Sequence, residues 1–159
     1  MSVHVRAADE SRMRALGAAL ARVLEPGSVI HLGGTLGAGK TTLARALIQA
    51  LLPGARVKSP TYALIESYPE ATPPIHHLDL YRIESSDELE FLGLRELADG
   101  GAVLLVEWPE RGAGHVPPPD LEIAIAVAGE ARELTLGACS GRGQRMLGRL
   151  SEAEAAVAG

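Results

Sequence analysis

The stretch that most constrains the fold of this 159-residue chain is Gly34-Thr35-Leu36-Gly37-Ala38-Gly39-Lys40-Thr41. It matches the pattern G-x-x-x-x-G-K-[ST] in full. Before it, Ser28–Leu32 is a short apolar run that predicts a buried parallel strand. After it, Leu43, Ala46, Leu47 and Ala50 recur at helical spacing up to Pro53-Gly54. Strand, glycine turn and helix form the context in which this pattern holds phosphate. Glycines let consecutive backbone N–H groups of Gly37, Ala38, Gly39, Lys40, Thr41 and Thr42 curl around an anion without Cβ clashes. The helix start adds its positive end. Lys40 is expected to reach the β- and γ-phosphates, and Thr41 to offer its hydroxyl to Mg²⁺. A nucleoside triphosphate is therefore the predicted ligand, and what its hydrolysis accomplishes is not part of this pattern.

The rest of the chain reads as elements built around that unit. Val3–Val5 suggests a short strand. Asp9 opens a helix with Met13, Leu16, Leu20, Val23 and Leu24 on one face, stopped by Pro26-Gly27. Ala63–Tyr68 and Ile75–Leu80 read as strands around Pro73-Pro74. Ser86–Leu92 reads as a short helix with Asp87 and Glu88 at its positive end. Ala102–Val106 is another buried strand. After Pro117-Pro118-Pro119, Leu121–Val127 and Glu133–Leu136 alternate around Gly129-Glu130 as an antiparallel hairpin. The expected fold is α/β: a three-layer P-loop NTPase-like sheet, mostly parallel with an antiparallel extension. Residues 1–141 are expected to form the P-loop domain and 142–159 a C-terminal helical tail.

In such folds ligands sit at the carboxyl ends of the strands. Two acidic residues end apolar strands there, Asp79 after Ile75–Leu78 and Glu107 after Val103–Val106. Both are expected at Mg²⁺, directly or through water. Glu107 is also the preferred general base for an attacking water. Between the P-loop and Asp79 lies Lys58-Ser59-Pro60-Thr61-Tyr62, where Pro60 pushes Ser59 towards extended backbone. In chain order Thr61 suits a switch residue that senses the γ-phosphate. Spacing alone favours an ordinary Ser-Pro turn. His76 and His77 are adjacent, so in a strand they face opposite ways and cannot readily share a metal; buried or hydrogen-bonded structural roles are expected. Cys139 is the single cysteine, which excludes an internal disulfide and a cysteine metal cluster.

Composition sharpens this outline. Only 2 Lys stand among 15 basic residues, Lys40 in the P-loop and Lys58 beside the Ser-Pro-Thr-Tyr segment. The five aromatics are Tyr62, Tyr68, Tyr81, Phe91 and Trp108. A net charge of −5 does not suggest a nonspecific nucleic-acid binder, and no DNA or membrane partner is expected. No apolar run is long enough to span a bilayer, and Met1–Leu24 does not read as a signal peptide, so a cytoplasmic location is expected.

Five segments in register carry a family resemblance: Gly34–Leu43; Lys58–Tyr62; His77-Leu78-Asp79-Leu80-Tyr81-Arg82; Glu88–Leu94; and Val106-Glu107-Trp108-Pro109-Glu110. Together the chain resembles the bacterial TsaE (YjeE) family over about residues 8 to 140. The resemblance implies an ATP- and Mg²⁺-binding P-loop ATPase of tRNA N6-threonylcarbamoyladenosine formation. It implies work with TsaD and TsaB, whose complex modifies adenosine 37, and no transfer chemistry by the ATPase itself. By the same resemblance Lys40 is the phosphate lysine and Thr41 the metal hydroxyl. Thr61 belongs to a switch-like segment, Asp79 and Glu107 are the acidic pair, and Trp108 lies beside the nucleotide. Arg132 matches an arginine near the nucleotide. Thr35 stands where the family usually has an acidic residue, and Met13 where it usually has threonine.

Two other readings compete. A small-molecule P-loop kinase would need a lid, and no arginine-rich lid segment lies between Lys40 and the second acidic motif. A GTPase switch would need an Asn-Lys-x-Asp base-reading motif, which the sequence lacks. Arg142, Arg145 and Arg149 share one face of the C-terminal helix. That face is expected to be solvated, with a partner or tRNA backbone as the sharper alternative.

Overall fold

The computed structural model describes residues 1–57, Pro60 and 64–158. Lys58, Ser59, Thr61 and Tyr62, and with them the expected switch threonine, lie outside the described residues. The elements are β1 (Ser2–Ala7), α1 (Glu10–Val23), β2 (Val29–Gly34), α2 (Lys40–Leu51), β3 (Ile65–Tyr68), β4 (Ile75–Asp79), α3 (Leu94–Asp99), β5 (Val103–Glu107), β6 (Leu121–Ala128), β7 (Ala131–Ala138) and α4 (Gly141–Ala158). Short 3₁₀ turns occupy Ser86–Leu92 and Pro109–Gly112.

The strands form one sheet in the order β1-β7-β6-β2-β5-β4-β3. Its centre is parallel: β6 with β2, β2 with β5, and β5 with β4. The flanks are antiparallel: β1 with β7, β7 with β6, and β3 with β4. The α/β P-loop architecture expected from the sequence is what the chain adopts, with the β6–β7 hairpin as its antiparallel extension.

Strand β5 is buried along its whole length because helices cover both sheet faces. Val103 and Leu105 enter the large core with α1, α2 and α4. Leu104 and Val106 enter a second core with Leu89 and Leu94, closed by α3 and the Ser86–Leu92 turn. Each such leucine contributes about 1.5–3 kcal/mol on leaving water. Apolar packing on two sides, rather than loop contacts, thus fixes where β4 and β5 end.

Helix α1 starts where Asp9 accepts a hydrogen bond from the Arg12 N–H at 2.9 Å. It lies tightly on α2: a Cβ at Gly17 would stand 2.6 Å from the Ala46 Cβ, so only glycine permits this approach. The Ser86–Leu92 segment, expected as a helix, winds as a 3₁₀ turn with a Ser85–Glu88 capping box and stops at left-handed Gly93. Helix α4 buries Met146, Leu147 and Leu150 completely in the large core. The stretch read from sequence as a tail therefore supplies core side chains.

The arginine face of α4 is engaged within the chain. Arg145 grips the Glu25 carboxylate through two nitrogens at 3.1 and 3.0 Å. Arg149 lies 3.6 Å from Glu25, and Arg142 lies 3.8 Å from Asp120. Arg145 and the other two arginines hold the Glu25 carboxyl below the usual range. Among the described residues, no helix is long and apolar enough to cross a membrane.

Candidate functional site

Sheet topology brings the expected site together. Strand β2 runs into the glycine turn, and its parallel neighbours β5 and β4 end beside it. In the β4–β5 register Asp79 pairs with Glu107, so the two carboxylates stand side by side at the strand ends. Alternation puts both on the sheet face that packs against α2.

Helix α2 begins at Lys40, directly after Gly39, whose φ of 116° only glycine adopts comfortably. Gly34 has φ 144°, and a Cβ there would lie 2.5 Å from the Ile125 carbonyl oxygen. These positions explain the glycines of the motif as backbone requirements of the turn.

Lys40 is 5 % exposed. Its ammonium donates to the Gly34 carbonyl and to the Thr35 carbonyl at 3.1 Å. It also stands 3.9 Å from the centre of the Trp108 ring, a cation–π contact. Burial lowers the Lys40 pKa, while the charges of Glu107, Asp79 and Glu110 oppose that shift. The ammonium is thus held by neutral groups that an anion can replace. Trp108 has φ 58°, a left-handed conformation that is strained for a bulky side chain. Tyr81 leans on it at 5.0 Å, and Arg111 lies over both rings.

The Thr41 hydroxyl donates to Glu107 at 2.9 Å to Oε1 and 3.2 Å to Oε2. Glu107 is 2 % exposed and also meets the His77 Nε2 at 2.6 Å. Asp79 accepts the Tyr81 N–H at 3.0 Å. Burial raises the Asp79 pKa. The Tyr81 bond lowers it, the Glu107 charge adds to the rise, and His77 and Lys40 counter it.

A cleft of about 330 Å³ opens over these groups, lined by Leu36 to Thr42, Asp79, Tyr81, Arg82, Glu107 and Trp108. A second cleft of about 330 Å³ lies across the turn, against Asp9, Glu10, Met13, Thr42, Glu130 and Arg132. Gly37, Ala38 and Gly39 line both. Arg132 donates through Nε to the Ala38 carbonyl at 2.9 Å, bracing the turn from β7.

Gly37 to Thr42, Asp79, Glu107 and Trp108 therefore converge on one cleft, and Arg132 borders the other. The donor set suits Mg²⁺: a hydroxyl and two carboxylates are hard oxygen ligands, and this ion takes one or two carboxylates with phosphate oxygens. Among the described residues, no group of three or more His, Cys, Asp or Glu that could hold a metal ion occurs.

Sequence reasoning underused three residues. Tyr81 and Arg82 follow Asp79 in one of the recognised segments, and both line the first cleft. His77 was expected to be structural and is buried, but its partner Glu107 lies 30 residues away. Two-residue periodicity does put His77 on the same strand face as Asp79. His76, on the opposite face, bonds the Ser67 hydroxyl at 2.7 Å.

Known proteins resemble this chain in sequence and in fold. A family model described as "Threonylcarbamoyl adenosine biosynthesis protein TsaE" matches residues 7–134. A Haemophilus influenzae protein named tRNA threonylcarbamoyladenosine biosynthesis protein TsaE is 38 % identical over 148 residues, covering 90 % of this chain and 94 % of that protein. A Bacillus subtilis protein of the same name is 37 % identical over 147 residues, with 92 % of each covered. The crystal structure of Bacillus subtilis YdiB superposes with a TM-score of 0.83 at 30 % identity, covering 97 % of both chains.

Proposed function

This chain belongs to the TsaE family, and on that premise we propose that it is a P-loop ATPase serving tRNA N6-threonylcarbamoyladenosine formation. In this reading it hydrolyses ATP to activate or reset a TsaD–TsaB complex in the cytoplasm. It meets tRNA within that assembly and transfers no threonylcarbamoyl group itself. The observation that carries the reading is the convergence of Lys40, Thr41, Asp79 and Glu107 at one glycine-rich turn, with the Thr41 hydroxyl 2.9 Å from Glu107.

The chain's own groups divide the work. Backbone N–H groups from Gly37 to Thr42 cradle the phosphates, and the start of α2 adds its positive end. Lys40 leaves the Gly34 and Thr35 carbonyls for the β- and γ-phosphates, exchanging neutral acceptors for charged ones, which bind about twice as strongly. Thr41, Asp79 and Glu107 would hold Mg²⁺, which when bound offsets the phosphate charge. Glu107 receives a proton from the attacking water. Met13 and Arg132 border the second cleft, and in this reading the base and sugar lie on that side.

Turnover of the purified chain, with and without TsaD and TsaB, tests this. Slow hydrolysis alone and stimulation by the partners are expected. Lys40→Ala should abolish ATP-dependent activity, and Glu107→Ala should remove hydrolysis while keeping part of the nucleotide binding. A wild-type chain that binds no ATP would overturn the reading. Full hydrolysis by Glu107→Ala would overturn the role of that residue. Fast phosphorylation of a small acceptor without partners would replace the reading with a kinase.

A further inference from the structure

His77 is fully buried on β4, two residues before Asp79 and on the same strand face. Its Nε2 lies 2.6 Å from Glu107 Oε2, and both side chains are almost inaccessible to water, at 1 % and 2 %. Its other ring nitrogen, Nδ1, is buried and has no hydrogen-bond partner among the described residues. A carboxylate only accepts, so the ring must carry its proton on Nε2 to make this bond.

That bond acts on a carboxylate with two other demands. Thr41 donates to Glu107, most closely to Oε1 at 2.9 Å. Asp79 stands beside Glu107 across the β4–β5 ladder. With Oε2 tied to His77, the carboxylate plane is fixed, Oε1 faces Thr41, and Glu107 cannot turn away from Asp79 to separate their charges. We propose that His77 is a positioning residue, which holds Glu107 in the orientation that the P-loop chemistry uses. This rests on the ATPase reading above.

The donor, not the aromatic ring, is what matters, so a side chain that presents an N–H at the position of Nε2 should replace it. Glutamine reaches that position; asparagine and leucine do not present a donor there. His77→Gln is expected to keep kcat within a few-fold of wild type. His77→Leu and His77→Asn are expected to lower kcat by about 10- to 100-fold, the usual cost of losing a group that orients a ligand or base. The KM for ATP should change by less than about threefold, because the phosphate cradle and Lys40 are untouched.

Thermal denaturation of each variant checks folding, and ¹⁵N-histidine NMR of the nucleotide-free wild type reads the ring directly. A proton on Nε2 whose resonance moves in Glu107→Gln is expected. A proton on Nδ1 instead would overturn the proposal without any assay of turnover. So would His77→Leu with wild-type kcat, or equal losses in all three variants with ATP binding lost in parallel, the pattern of a merely structural residue. Absence of hydrolysis in the wild type with its partners present would overturn the ATPase reading and this role together. Hydrolysis by wild type that His77→Leu retains would overturn this role alone.

Discussion

Adding a single methyl group at Gly34 or at Gly37 separates the two things the glycine turn does. At Gly34 the backbone has φ 144°, and the new Cβ would lie 2.5 Å from the Ile125 carbonyl oxygen and 3.2 Å from the Ala38 Cβ. The backbone conformation alone costs about 1–3 kcal/mol. The obstacle is a main-chain carbonyl in the β2–β6 ladder, where Gly34 pairs with Ile125, so it cannot rotate aside. Forcing atoms into such a packed site adds about 1–3 kcal/mol. Gly34→Ala should therefore lose at least about 2 kcal/mol, a fall in Tm of at least about 4 °C for a domain this size. At Gly37 φ is 81°, but no atom of the described residues lies within 4 Å of the new Cβ. Only the left-handed backbone cost of about 1–2 kcal/mol applies. Gly37 lines both clefts, however, so its methyl group would enter the space proposed for the nucleotide. Urea and thermal denaturation should rank Gly34→Ala as clearly the less stable. ATP titration of folded Gly37→Ala should show at least about a tenfold loss in affinity, about 1.4 kcal/mol. If Gly34→Ala proves no less stable than Gly37→Ala, the close approach of β2 to β6 does not set the turn, and the reasoning fails.

Two further outcomes follow from the charges and rings around the turn. The fold raises the pKa of Asp79 above 3.8, so the folded state holds more protons than the unfolded state just above that value, and stability falls as pH rises through this window. Asp79→Asn should therefore stabilise the nucleotide-free protein at pH 7, with the gain shrinking as pH falls towards 3.8; urea titrations in EDTA showing no gain at pH 7 would contradict the buried-charge account. Trp108 is the only tryptophan and has the Lys40 ammonium 3.9 Å from its ring centre, so ATP or ADP should change its emission as Lys40 moves to phosphate. A titration with no change in emission would mean that Lys40 stays on the ring.

The parts legible in the sequence were those governed by local chemistry. The glycine turn, the strand before it and the helix after it follow from steric and periodic rules acting over a few residues. Asp79 and Glu107 were legible because each ends an apolar strand, and parallel strands in such a sheet end on the same side. What sequence did not disclose depends on pairing at long range. The bond from His77 to Glu107 exists because β4 lies next to β5, an adjacency absent from either segment alone. The arginines of α4 stay on a solvated face, as expected, but their ion pairs with Glu25 and Asp120 depend on the fold that places those carboxylates against them. Arg132 could be placed near the turn only by resemblance, because the β7 register that brings its Nε to the Ala38 carbonyl is set by pairing with β6.

These long-range contacts also explain how a rigid sheet and a responsive turn coexist. Glu107 and Asp79 are fixed from beneath by two cores and, for Glu107, by His77. Lys40 is held by the Gly34 and Thr35 carbonyl oxygens and the Trp108 ring, and Trp108 by a strained backbone, Tyr81, Arg111 and the edge of the second core. An anion entering the first cleft competes with the neutral partners of Lys40 and leaves the acidic pair in place. Release of the ammonium removes the cation from the Trp108 ring, while Tyr81 and Arg111 remain stacked against that ring at the mouth of the cleft. On the ATPase reading proposed above, nucleotide at the turn would change the surface around Tyr81, Trp108 and Arg111 and leave the sheet, with Asp79 and Glu107, as it is.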